Sequence, residues 1–173
     1  MKHLFTSLLF GLTLFFSTIQ GQIIKTKLDI VGGISAREYV HGGLRYQYSD
    51  FGQVGFYYGG DMGLDNSIIT TYAADNMLHF GKENYYSGRP VWYARQGLTL
   101  IKGIEVDRKV FRSNFDLALG REFPVSDWLG FNIDMGILCQ FREKHKLNNG
   151  GDYFYNDNWY WMPLIRAQIY FSL

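Results

Sequence analysis

Two runs of strict alternation constrain this chain more than any other feature. They fill the stretch from Val110 to Phe141 and flank the short segment Phe123-Pro124-Val125-Ser126-Asp127. In the second run Leu129, Phe131, Ile133, Met135, Ile137, Cys139 and Phe141 share one face. Gly130, Asn132, Asp134, Gly136, Leu138, Gln140 and Arg142 share the other. The first run sets Phe111, Ser113, Phe115, Leu117 and Leu119 against Arg112, Asn114, Asp116, Ala118 and Gly120. Side chains that recur every second residue line one side of an extended strand, whereas a helical face recurs about every 3.6 residues. Long adjoining strands, apolar on one face and polar or small on the other, fit a barrel wall with hydrocarbon outside and a tight polar interior.

The rest of the chain divides into similar segments. Strand one is expected over 27–34, strand two over 39–48 and strand three over 53–61, with Ser49-Asp50-Phe51-Gly52 as the turn between the last two. Residues 63–75 read as a loop, with Ile68 to Tyr72 as an alternative extension of a strand, 76–82 as strand four with Leu78 and Phe80 outward, and 83–90 as a turn. Strand five covers 91–102, with Trp92, Ala94, Leu98 and Leu100 outward and Gln96 as a polar exception on that face. Strands six and seven are the two alternating runs. Residues 143–158 read as a long polar loop with Asn148-Asn149-Gly150-Gly151 at its tip. Strand eight covers 161–173, with Ile165, Ala167, Ile169, Phe171 and Leu173 on one face.

The chain opens with Met1-Lys2-His3, an apolar run from Leu4 to Ile19 and a small residue, Gly21. That is the pattern of a secretory signal peptide over 1–21, leaving 22–173 as one barrel domain. The apolar run is shorter than the roughly 20 residues a membrane helix needs. Aromatic residues make up 18% of the chain, 20 residues are Gly, and the net charge is +1. This balance suits membrane β-structure and is a poor match for a nucleic-acid binder, which would carry a clustered basic face. One cysteine, Cys139, excludes an intrachain disulfide; the alternation places it outward, as a small apolar residue against lipid.

Eight strands satisfy the even count of a closed bacterial barrel, and each needs about 9–11 residues to span. Short connections at 49–52, 83–90 and 123–127 contrast with long ones at 61–75 and 143–158, which sets periplasmic turns against surface loops. Aromatics then form two girdles. Tyr48, Phe51, Trp92, Phe123, Trp128 and Phe171 lie at the periplasmic rim; Tyr39, Phe111, Phe141, Trp159 and Trp161 lie at the other.

A terminal strand of alternating apolar residues with an aromatic near its end, here Phe171 two residues before Leu173, resembles the C-terminal signal of bacterial outer-membrane proteins. In pattern and length the mature chain is similar to the small eight-stranded class that includes the OmpA transmembrane domain and OmpX. The resemblance implies an all-β fold: an eight-stranded antiparallel up-and-down transmembrane β-barrel in the bacterial outer membrane. It implies lipid and lipopolysaccharide as surroundings and the outer-membrane insertion machinery as a partner. It implies no activity.

The inward charges carry the expectation about the interior. Asp29, Arg45, Arg95, Arg112, Asp116, Asp134 and Arg166 all fall on the polar face. Eight strands enclose room only for side chains, and a desolvated charge without a partner costs several kcal/mol. An ion-pair network is therefore expected, with Asp116 and Asp134 paired to Arg95 or Arg112 and Asp29 paired to Arg166 across the closing seam, and with no open pore. No histidine pair has metal-ligand spacing, and no Gly pair sits in a strand–loop–helix phosphate site. No cofactor, metal or nucleic-acid partner is expected, and the barrel is read as a monomer without catalytic residues. Tyr153, Phe154, Tyr155 and Trp159 in the long polar loop are a candidate recognition surface. Two alternatives stand beside a structural or surface-interaction role. An outer-membrane enzyme acting on lipid or lipopolysaccharide has only His41 with Glu38 and Ser35 to build on. A secreted, lipocalin-like soluble barrel requires the Leu129–Phe141 apolar face to point inward.

Overall fold

The computed structural model describes residues 28–36, 39–61, 68–104, 108–147, 153–156 and 159–173. The leader read at 1–21, Lys27, Glu38 and the 148–151 tip lie outside these residues. The described elements are all strands: β1 (Leu28–Ser35), β2 (Tyr39–Gln47), β3 (Gly52–Gly60), β4 (Ile68–Glu83), β5 (Pro90–Ile104), β6 (Arg108–Pro124), β7 (Leu129–Leu147), β8 (Tyr153–Asn156) and β9 (Tyr160–Ser172). Each pairs antiparallel with its neighbours. Strand β9 lies beside both β7 and β1, so the wall closes. The short β8 pairs with Glu143–Lys146 at the top of β7, above the β9 pairing. Strands β8 and β9 thus share the eighth position of one eight-stranded, up-and-down barrel.

The polarity of this wall follows the alternation. Ile133 (42% exposed), Leu117 (46%), Ile169 (54%) and Leu119 (60%) point out, whereas Asp116 (0%), Asp134 (1%) and Arg166 (1%) point in. A soluble barrel hides its large apolar side chains; this one presents them all round and buries its charges. The exterior is that of a membrane-spanning wall. Aromatic side chains mark both of its edges. Trp128 stacks on Phe171 and Phe123 on Phe131 at the short-turn end, and Tyr58 meets Tyr72 and Trp159 meets Trp161 at the other.

Three differences from the sequence reading matter for the interior. Strand β4 begins at Ile68, not at 76, because Thr71, Ala73 and Asp75 continue its inward face. Strand β6 runs to Pro124, which brings Glu122 inside. Residues 143–147, read as the start of a polar loop, are instead the extension of β7 to Leu147, paired with β8. Strand β7 also carries a bulge. Ser113 faces Arg142 while Asn114 faces Gln140, so Phe141 is extra. One extra residue reverses the side-chain phase. Beyond it Glu143 points into the mouth and Arg142 points out, opposite to the expectation for Arg142. Cys139 keeps its outward phase but is only 2% exposed, flanked across the strands by Phe115 and Trp161. Gln96 is not isolated on the outer face: its cross-strand neighbour is Asn76, which accepts a hydrogen bond from the Tyr48 hydroxyl at 2.9 Å.

Candidate functional site: the charged lumen and its mouth

The interior is filled in layers. At the short-turn end Arg89 reaches from the β4–β5 turn back into the lumen. Its Nε donates to Glu122 Oε2 at 2.8 Å, and Nη2 donates to Asp29 Oδ2 at 3.2 Å. Nη1 donates to Gln47 at 3.2 Å. Arg45 lies within 3.5 Å of Asp29 and 3.3 Å of Glu122. Both guanidiniums sit over the Tyr170 ring, 5.0 and 5.4 Å from its centroid. A cation on the face of an aromatic ring is attracted to its quadrupole. His79 closes this layer, with Nδ1 at 2.8 Å from the Pro90 carbonyl and Nε2 at 3.0 Å from Gln53 Oε1.

The middle layer is built round Asp134. Its Oδ1 accepts from Arg95 Nη2 and its Oδ2 from Arg166 Nε, both at 3.0 Å. The Tyr93 hydroxyl adds a third bond at 3.1 Å. Arg95 also bonds Asp116, and Arg166 Nη1 donates to Asp75 Oδ2 at 2.8 Å. The Arg166 guanidinium lies 5.2 Å from the Tyr57 ring centre. Two inward glycines make room for this packing. A Cβ on Gly120 would collide with the Tyr93 ring, and one on Gly130 with the Tyr170 ring. Each ring lies across the floor that a missing side chain leaves.

Of the seven charges expected inside, Asp29, Arg45, Arg95, Asp116, Asp134 and Arg166 are buried in these two layers. The pairing Arg95 with Asp116 and Asp134 is present. The pairing Asp29 with Arg166 is not: Asp29 meets Arg45 and Arg89, and Arg166 meets Asp75 and Asp134, because the two residues lie in different layers. Arg112 is in neither layer. It sits at the mouth with its Nε 3.0 Å from Glu143 Oε1. Three members of the network, Asp75, Arg89 and Glu122, are not among the expected charges. For Asp75 and Glu122 the sequence does hold a signal, since each continues an inward alternation. For Arg89, which leaves a turn, it holds none.

Above the ion pairs the inward side chains carry no carboxylate or guanidinium: Thr71, Ala73, Thr99, Asn114 and Leu138, with His41 on the Thr71 rung. Beyond them the long-loop end opens as a cavity of about 530 Å³, lined by Arg112, Gln140, Glu143, Trp159 and Tyr160 among others. Partial burial raises the Glu143 carboxyl, but the hydrogen bond and charge of Arg112 outweigh it, and its pKa lies below the ordinary glutamate value. Trp159 is exposed on this mouth. The backbone of Tyr153, Phe154 and Tyr155 forms β8; their side chains lie outside the described residues. His41 points into the lumen, with Nε2 2.8 Å from Gln168 Nε2 and its ring edge-on to Tyr57. Among the described residues no group of three or more His, Cys, Asp or Glu side chains is placed to hold a metal ion.

The closed wall, the outward apolar belt and the ion-paired lumen decide the architecture. The fold is that of an eight-stranded outer-membrane barrel. CarO of Acinetobacter baumannii aligns over 89% of this chain and 100% of its own, with a TM-score of 0.52 and 10% identity. The N-terminal β-barrel domain of Pseudomonas aeruginosa OprF aligns over 86% of this chain and 96% of its own, at a TM-score of 0.48 and 11% identity. A major outer membrane protein from Thermus thermophilus aligns over 87% of this chain and 100% of its own, at 0.46 and 11%. No family model and no curated protein sequence matches the chain. At such identities the likeness is one of backbone path, and this barrel's lumen has to be read from its own residues.

Proposed function

We propose that this chain is a monomeric integral barrel of the bacterial outer membrane, without catalytic activity, that anchors a recognition surface at its outer mouth. The observation that carries the reading is the sorting of side chains among the described residues: apolar ones all round the outside, and four buried arginines interlocked with five buried carboxylates within. Charges locked to one another in two stacked layers leave no continuous water column, so the barrel is a plug and not a pore. Its partners are then the lipid and lipopolysaccharide around it, the machinery that inserts it, and a ligand at the mouth. Trp159, Tyr160 and the Arg112–Glu143 pair supply rings and one fixed charge pair there, a combination suited to recognition. A lipid-modifying enzyme would need a nucleophile, base and acid in reach of one another. His41, the candidate base of such a site, faces Gln168 inside the lumen.

Membrane fractionation with a heat-modifiable gel shift tests the placement. The chain is expected in the outer-membrane fraction, with a folded band that moves only on boiling. Recovery in the soluble fraction without detergent would overturn it. Planar-bilayer recording tests the plug: no steady conductance is expected, and stable open steps would refute the closed lumen.

A further inference from the structure

The bulge at Phe141 has a second effect, on the outside of the wall. By reversing the phase of β7 it turns Arg142, Lys144 and Lys146 outward. On that face they join Lys102 of β5 and Lys109 of β6. The register puts them on three successive rungs: Leu100–Ser113–Arg142, Lys102–Phe111–Lys144 and Ile104–Lys109–Lys146. Adjacent strands are about 4.8 Å apart and successive same-face residues about 7 Å, so five cations share a patch roughly 10 by 14 Å. They border one shallow groove of about 490 Å³ with Phe111 in its middle. On β5, β6 and β7 these rungs carry no carboxylate.

The depth of the patch is as telling as its charge. The rung immediately below it is Leu98–Phe115–Cys139–Trp161, the upper edge of the apolar belt. Headgroup phosphates of a lipid whose chains lie along that belt would meet the five cations. Lysines near a membrane surface attract anionic headgroups, and phosphate is the group that several cations hold together. The first two strands are only 8 and 9 residues long, whereas β6 and β7 run to 17 and 19, so this side of the wall stands tall enough to carry such a collar.

We propose that Lys102, Lys109, Arg142, Lys144 and Lys146 form a binding site for the phosphates of an outer-leaflet glycolipid, with its acyl chains along the β5–β7 wall below. The site deepens the outer-membrane reading and rests on it. The partner is a lipid and not a soluble polyanion because the cations adjoin the apolar belt.

The test uses the full chain folded in detergent and native mass spectrometry. One arm adds bis-phosphorylated lipid A, a second adds the same lipid with both phosphates removed, and a third adds the phosphorylated lipid with an excess of the acyl-free phosphorylated sugar headgroup. The wild-type barrel is expected to retain the phosphorylated lipid at least tenfold better than the dephosphorylated one, and the free headgroup is expected not to displace it. At about fivefold per charge, Lys102→Gln/Lys144→Gln/Lys146→Gln should lose roughly 100-fold in retention, and the Lys→Arg triple should keep it. Equal retention of the two lipids, or no loss in the Gln triple, would overturn the site. Displacement by the free headgroup would reassign it to a soluble phosphosugar. If the Gln triple lacks the heat-modifiable band, Lys102→Gln alone should still lose about fivefold. A wild-type chain soluble without detergent would instead defeat the membrane reading, whereas failure of this site leaves a detergent-dependent barrel without phosphate preference.

Discussion

Breaking the middle ion layer should cost more from the cationic side than from the anionic side. Among the described residues, three buried carboxylates, Asp75, Asp116 and Asp134, face two guanidiniums, Arg95 and Arg166. Replacing Arg166 by Met keeps most of the apolar volume and removes a cation with contacts of 2.8 Å to Asp75 and 3.0 Å to Asp134. Three carboxylates are then left against Arg95 alone. Asp75 keeps only the Tyr57 hydroxyl at 3.2 Å and Arg95 at 3.9 Å. Leaving a buried charge without its partner costs about 3–5 kcal/mol. Asp134→Asn does the opposite: two carboxylates remain for two guanidiniums, and the amide oxygen can still accept one of the bonds. Its cost should be about 1–2 kcal/mol. Urea unfolding in short-chain lipid vesicles, followed by tryptophan fluorescence, measures both. Arg166→Met should lose about 2 kcal/mol more than Asp134→Asn, and the double variant should be more stable than the two single losses added together. Equal costs, or Asp134→Asn as the worse variant, would refute the charge accounting for this layer.

Three other outcomes follow from the same geometry. Leu117→Lys, at an outward position 46% exposed, should destabilise the barrel in vesicles by about 2–4 kcal/mol, whereas an exposed lysine on a soluble protein would change little; the same urea titration reads it. Gly120→Val should be recovered unfolded or strongly destabilised, because its side chain would enter the Tyr93 ring, and pairing it with Tyr93→Ala should restore the heat-shifted band. The Arg112–Glu143 pair should hold the β6–β7 extension at neutral pH. A carboxylate with a lowered pKa stabilises the folded state above its ordinary value of 4.5, and that contribution is lost as pH falls below it. Amide exchange near Glu143 should accelerate between about pH 5 and pH 3, corrected for intrinsic rates, and Arg112→Gln should weaken that dependence, leaving the part held by His145 at 3.3 Å and Gln140 at 3.1 Å.

Much of the wall was legible because period two is a strong signal when each face has its own solvent. Leu129 to Ile137 and Ile165 to Phe171 could face only one way once the strands were placed. The lumen was harder to read, and each miss has a physical cause. Asp75, next to Asn76, carries the composition of a loop, but in a barrel with a polar inside an aspartate in mid-strand is an ordinary wall residue. Glu122 lies just before a proline and a turn, where alternation fades. Arg89 belongs to no strand; its side chain enters the barrel from below because Asp29 and Glu122 leave a space there that a guanidinium fits. The phase slip at Phe141 carries no glycine or proline marker. The stretch Arg142-Glu143-Lys144-His145-Lys146 alternates in character, so either phase is reasonable in isolation, and the register with β6 decides that Glu143 and His145 go in and Arg142, Lys144 and Lys146 go out. The mouth is the least legible part. It is assembled from Arg112, Gln140 and Trp159, whose proximity depends on strand stagger and not on any local pattern.

The most direct test of the central assertion, that the oily face of the wall lies against lipid, is spin-label accessibility in reconstituted vesicles. Labels at Ile133→Cys and Ile169→Cys, in a Cys139→Ala background, should collide far more often with dissolved oxygen than with a water-soluble nickel chelate, and a label at Lys146→Cys should show the reverse. Labels at Ile133 and Ile169 that are shielded from both reagents, as in the core of a soluble protein, or that favour the chelate, would contradict it.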